Sequence, residues 1–94
     1  MQFSPELRAG VAEGRITLTY RLWTRPQVKV GGRYAVQAAQ IEIDDMELVP
    51  FSSVSRADLR RTGEKDLESL RARTAHAGPV DDDTLVYRIA FHLV

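Results

Sequence analysis

The residues able to do chemistry crowd into one stretch of the chain. Between Gly14 and Gly32 stand Arg15, Arg21, Arg25 and Lys29 with no acid among them, and Arg33 follows directly. Cations without neighbouring carboxylates are where a negative partner docks, and the planar donor fork of arginine matches two phosphate oxygens at once. Interleaved with them are the hydroxyls of Thr17 and Thr19 and the indole of Trp23, a face on which a base can stack. Each has a plainer reading. Surface arginines are commonly a solvated face, threonines are ordinary strand residues, Trp23 packs at a sheet margin, and Arg21 pairs with a carboxylate such as Glu64. Other chemistries are narrower. The chain has no cysteine, which excludes disulfides, thiolate zinc sites, iron–sulfur clusters and cysteine nucleophiles together. His76 stands near Asp81, Asp82 and Asp83, a run without EF-hand ligand spacing, and His92 falls on the polar face of the last strand, so no metal is expected. No Walker loop, dinucleotide fingerprint or nucleophile elbow occurs, and no cofactor is expected.

The elements that must position these side chains follow from periodicity. Ser4-Pro5 reads as a cap and first helical residue, and Leu7 and Val11 share a face, which predicts a helix from about 5 to 13. Beyond Gly14 the period becomes two: Ile16, Leu18, Tyr20 and Leu22 alternate with Arg15, Thr17, Thr19, Arg21 and Trp23, a strand with one buried face. Val28 and Val30, then Gly31-Gly32, then Tyr34 and Val36 read as a hairpin turning at the glycines. Ile41 and Ile43 differ in parity from Met46 and Leu48, which predicts a bulge near Asp44-Asp45 in a strand closed by Pro50. Ser55 with Asp58 starts a short helix that Gly63 ends. A second follows from about 65 to 75, with Glu64 and Asp66 at its start, Arg71 and Arg73 near its end and an apolar stripe of Leu67 and Leu70. The last strand carries the strict alternation Leu85, Tyr87, Ile89, Phe91, Leu93.

Ninety-four residues, 44% hydrophobic and 28% charged, suit one globular domain over 1–94 and exclude a disordered or coiled-coil chain. No apolar run reaches the roughly 18 residues of a bilayer span, and the N-terminus lacks the order of a signal peptide, so a cytoplasmic protein is expected. The zero net charge hides an asymmetry. Residues 1–40 carry six basic and two acidic side chains, residues 41–94 seven basic and eleven acidic. Four or five strands with helices at two places predict an α+β, mainly β fold, a small mixed barrel flanked by short helices.

The segment Gly14-Arg15-Ile16-Thr17-Leu18-Thr19-Tyr20-Arg21, with Lys29-Val30-Gly31-Gly32-Arg33-Tyr34 and Leu48-Val49-Pro50-Phe51-Ser52-Ser53-Val54 downstream, resembles the ASCH domain family over nearly the whole chain. The resemblance implies a PUA-like barrel linked to RNA binding, with the signature Gly-x-Lys-x-x-Glu/Thr-x-Arg opening its first strand. Gly14, Thr19 and Arg21 match, whereas Ile16 stands at the lysine position. Some members of that family hydrolyse the acetyl-amide of N4-acetylcytidine, and the resemblance assigns the activity to the lysine, the threonine and a glutamate from the later helical region. Here Thr19 is present, the glutamate position lands near Thr62 or Gly63 with Glu64 the nearest acid, and an alkyl group cannot replace the amine. The expectation is therefore non-catalytic binding of RNA or a nucleotide between the first strand and the helices, through Arg15, Thr17, Thr19, Arg21, Trp23, Arg25 and Lys29. The alternative is an amidohydrolase acting on a modified nucleoside, with Thr19 and Glu64 as its remnants.

Overall fold

The computed structural model describes Met1 to Val94. Four strands, β1 (Leu18–Arg21), β2 (Arg33–Val36), β3 (Ala39–Pro50) and β4 (Leu85–Leu93), form one antiparallel sheet in the order β1-β4-β3-β2. Helix α1 (Pro5–Ala12) precedes the sheet, while α2 (Arg56–Thr62) and α3 (Leu67–Thr74) lie between β3 and β4, with single 3-10 turns at Phe51–Ser53 and Ala75–Ala77. No helix is long and apolar enough to cross a membrane.

The pairing of β3 with β4 sets the sheet's two faces. Ile43 stands opposite Phe91 and Asp45 opposite Ala90, so Asp44 is an unpaired bulge residue. The extra residue resets the parity: Ile41, Ile43, Met46 and Leu48 come to share one face with Tyr87, Ile89 and Phe91. That face packs with Phe3, Val11, Ile16, Val28 and Val36. On the opposite face Leu18, Tyr20, Val86 and Ala90 pack with Phe51, Leu70 and Val80. The sheet is thus covered on both sides, and the central strand β4 shows it in sequence, with Ile89, Ala90 and Phe91 buried in succession.

Capping follows the side chains. The Ser55 hydroxyl accepts from the Asp58 N–H at 3.0 Å, and the Asp66 carboxylate accepts from the Ser69 N–H at 2.8 Å. Gly63 ends α2 in the left-handed region at φ 81°, where a Cβ would stand 2.5 Å from the Cδ1 of Ile16. Ile16 is buried, wedged against Gly63 and Gly10.

Four expectations need correction. The barrel does not close: β1 and β2 are two separate sheet edges. The first strand is shorter than its alternation, because the Arg15 and Ile16 N–H groups bond back to the Gly10 carbonyl and the Thr17 N–H bonds to the Arg61 carbonyl. The hairpin turns at Gln37-Ala38, with Gln37 at φ 54°, and not at the glycines. Gly31 and Gly32 instead lie alongside β3, the Gly31 N–H donating to the Ile43 carbonyl and the Ile43 N–H to the Gly32 carbonyl. Finally, Leu67 is exposed, and α3 buries only Leu70 and Thr74.

Candidate functional site

A cleft of about 520 Å³ runs along the outer edge of β1, between the N-terminal end of α1 and helix α3. Strand β1 has β4 on one side only, and its other edge faces this cleft. Strand alternation sends Thr19 and Arg21 toward α1, and Trp23 continues past the strand end to the rim.

Arg21 is the most constrained of these groups. Its Nη2 donates to the Gln2 carbonyl at 2.6 Å and its Nε to the Thr19 hydroxyl at 3.1 Å. The guanidinium carbon sits 4.9 Å from the Phe3 ring centroid and 6.0 Å from that of Trp23. It has no carboxylate partner, and burial lowers its pKa from the ordinary arginine value. A half-buried cation held only by neutral oxygens and ring faces is under-compensated, the condition under which an external anion gains most.

Glu64 takes a different partner. Its nearly buried carboxylate accepts from both the Nε and Nη2 of Arg73, whose Nη1 reaches Glu6 at 2.9 Å. This Glu6–Arg73–Glu64 chain ties α1 to α3 across the cleft and raises the Arg73 pKa through its bonds to Glu64 first. Arg8, held by the Phe3 carbonyl at 2.9 Å, and His76 also line the cleft.

Of the residues expected from sequence, the cleft brings together Thr19, Arg21, Trp23 and Glu64. Arg15 is elsewhere, ion-paired with Glu13 at 2.7 Å. Thr17 accepts from Arg61 at 3.0 Å and so braces α2. Arg25 and Lys29 are exposed on the segment between β1 and β2, away from the cleft. Trp23 packs on Tyr87 with ring centroids 6.1 Å apart and stays half-buried, so it is at once a packing residue and part of the rim. Sequence reasoning missed Arg8, Arg73 and His76 as cleft residues. Arg73 carried a signal only for the end of a helix, and nothing in spacing joins Arg8 to β1.

Two polar groups lie outside the cleft. Behind β1, the Tyr20 hydroxyl meets Asp58 at 3.4 Å and Arg88 donates to Asp58 at 2.8 Å. Burial first, then the Asp58 charge, push Tyr20 up to about 12, and the Arg88 hydrogen bond first lowers Asp58. At the bulge, His92 Nδ1 lies 2.7 Å from Asp44, and Glu42 stands opposite His92, held by Arg33 at 3.0 Å. Ligand-type atoms of Glu42, Asp44 and His92 all fall within 4.8 Å of one another on the surface.

The sequence matches no protein-family model, and no curated protein aligns with it. Solved structures do resemble it. The ASCH domain from Lactobacillus crispatus JV V101 superposes with a TM-score of 0.76 at 18% identity, over 94% of this chain and 70% of that one. A DUF984 protein from Enterococcus faecalis V583 gives a TM-score of 0.69 at 20% identity, over 95% of this chain and 70% of the other. The chain therefore has the fold of an ASCH domain.

Proposed function

We propose that this ASCH-fold protein is a cytoplasmic, non-catalytic binding module for single-stranded RNA or a nucleotide, taken up in the cleft beside β1. The observation that carries the reading is Arg21: a desolvated guanidinium on the cleft wall with no acid to neutralise it. A phosphate there gains a charge-assisted hydrogen bond where competing water is scarce. Trp23 at the rim offers the attached base a ring face, and Thr19, two residues before Arg21, fixes the guanidinium by accepting from it at its hydroxyl. The fold likeness supports the reading through the RNA link that the family resemblance implies.

The amidohydrolase alternative has Thr19 and Glu64 on the same cleft. Its difficulty is chemical. The Thr19 hydroxyl accepts from Arg21, the Glu64 carboxylate is engaged by Arg73, and Ile16 is a buried wedge under α2. The carboxylate is tied to Arg73 and no amine stands at position 16, so neither of the groups that the resemblance assigns beside Thr19 is ready to activate a nucleophile. The expected release of acetate from N4-acetylcytidine is nil above the uncatalysed rate. Turnover that vanishes in Thr19→Ala would promote the hydrolase instead.

Trp23 is the only tryptophan, so its emission reports the site directly. Ribonucleoside monophosphates should quench it, and Arg21→Ala should weaken the titration at least tenfold, about 1.4 kcal/mol. If Arg21→Ala leaves the titration intact and mainly lowers the melting temperature, the arginine is a structural tie to Gln2 and Phe3, and the binding reading loses its support.

A further inference from the structure

We infer that the free edge of β1 reads the Watson–Crick edge of one unpaired base through the backbone N–H and C=O of Tyr20; this rests on the nucleotide-binding reading above. In an antiparallel pair, residues alternate between exchanging hydrogen bonds with the partner and turning their backbone groups to the other side. The Phe91 N–H donates to the Thr17 carbonyl, and Leu18 stands opposite Ala90. That phase makes Thr19/Ile89 and Arg21/Tyr87 the bonded pairs, so the N–H and C=O of Tyr20 point away from β4. No other protein group bonds them: β1 has no second neighbour, and no loop or side-chain hydrogen bond reaches them.

Tyr20 lines the cleft although its side chain is buried on the far face of the sheet and turned to Asp58. Its main-chain N–H and C=O, turned away from β4, point out of the open edge that borders the cleft. A polar backbone pair in a partly enclosed site is costly to leave without partners. Native sheets usually cover or charge an exposed edge, whereas here the open part of the β1 edge coincides with the cleft. One donor and one acceptor side by side on an extended residue match the adjacent acceptor and donor on the Watson–Crick edge of a base. A base bonded there continues the plane of the sheet. Arg21, Phe3 and Trp23 then lie on one side of that plane and Leu70 on the other. A cation beside a ring face adds attraction in such an arrangement. Because the base uses its pairing edge, duplex RNA cannot enter.

The test compares neutral bases with and without the edge donor. Trp23 emission is titrated with uridine monophosphate and its 3-methyl form, and with guanosine monophosphate and its 1-methyl form, while the Tyr20 amide is followed by nitrogen-15 NMR. For whichever unmodified nucleotide binds more tightly, methylation is expected to weaken binding at least tenfold, and saturation should shift the Tyr20 amide and slow its hydrogen exchange. Equal affinity for the methylated nucleotide with an unmoved Tyr20 amide would overturn the edge reading while leaving nucleotide binding standing. Absence of binding by all four nucleotides and by single-stranded RNA overturns both.

Discussion

Under the function proposed above, Ile16 is the residue that separates a binding site from a catalytic one. At the position where the family resemblance places an amine, the chain has a buried alkyl group pressed against Gly10 and Gly63. Ile16→Lys would put an ammonium into that wedge, and a buried lysine sheds its proton to avoid desolvation, at a cost of roughly 3 to 5 kcal/mol at neutral pH. The loss should shrink as pH rises toward about 10, where the unfolded lysine is neutral too, and urea unfolding at several pH values checks it. A variant as stable as the parent at pH 7 would mean the wedge is loose enough to hold an amine. Tyr20 and Asp58 make a second prediction with two arms. Asp58 is held below its ordinary value by Arg88, so its contribution is present above its unfolded pKa of about 3.9 and is lost as pH falls through the lower folded one. Tyr20 is raised to about 12, so its contribution is present below an unfolded pKa of about 10 and is lost as pH climbs from there. Asp58→Asn should flatten the acid limb of the stability profile and Tyr20→Phe the alkaline limb. Absorbance titration should show one of the three tyrosines ionising only near 12.

At the scale of elements, two glycines with nearly the same φ allow a controlled comparison. Gly63 has φ 81° and Gly31 φ 82°, but a Cβ at Gly63 would meet Ile16 Cδ1 at 2.5 Å whereas one at Gly31 meets nothing within 4 Å. Left-handed backbone alone costs an alanine about 1 to 2 kcal/mol. Overpacking adds about 1 to 3 more at Gly63 only. Gly63→Ala should therefore lower the unfolding free energy by at least about 1 kcal/mol more than Gly31→Ala, and equal losses would show that Ile16 gives way freely. The same glycines show what local sequence can reveal. The parity change between Ile43 and Met46 disclosed the Asp44 bulge, because a period of two is a strict rule that one inserted residue must break. Ser55, Gly63 and the alternation of Leu85 to Leu93 were legible for similar local reasons. Gly31-Gly32 misled because glycine serves both tight turns and close chain approach, and here it lets the main chain lie against Ile43. The true turn at Gln37-Ala38 carries no glycine, asparagine or proline signal. Closure of a barrel was beyond reach, since it depends on whether β1 meets β2 and no local pattern encodes that.

For the whole molecule, ion pairing leaves the opposition of basic and acidic halves largely standing, because only Arg33–Glu42 joins a base of residues 1–40 to an acid of residues 41–94. Arg73 binds Glu6 and Glu64, Arg33 binds Glu42, Arg88 binds Asp58 and Arg71 binds Asp82. The acid-free run from Gly14 to Gly32 looked like one docking strip, yet folding pairs Arg15 with Glu13 and leaves Arg25 and Lys29 on a separate surface from the cleft. Arg21 and Trp23 were legible as neighbours from their spacing of two, and the guanidinium stands 6.0 Å from the ring although Trp23 lies past the strand end, whereas Arg8 reaches the same cleft only through tertiary packing. This sorting has a measurable consequence. A single strand releases counterions so that log affinity falls with log salt at a slope of about −0.7 per phosphate neutralised. Five cations acting together would give about −3.5, but the cleft holds two arginines without carboxylate partners, Arg8 and Arg21, which sets about −1.4. Fourfold more salt should then weaken a short unstructured RNA only about sevenfold, and Arg21→Ala should remove about 0.7 from the slope as well as lowering affinity. A slope near −3.5 would mean that RNA engages Arg25, Lys29 and further cations beyond the cleft together with Arg21. A slope of zero would mean that Arg21 meets no phosphate at all.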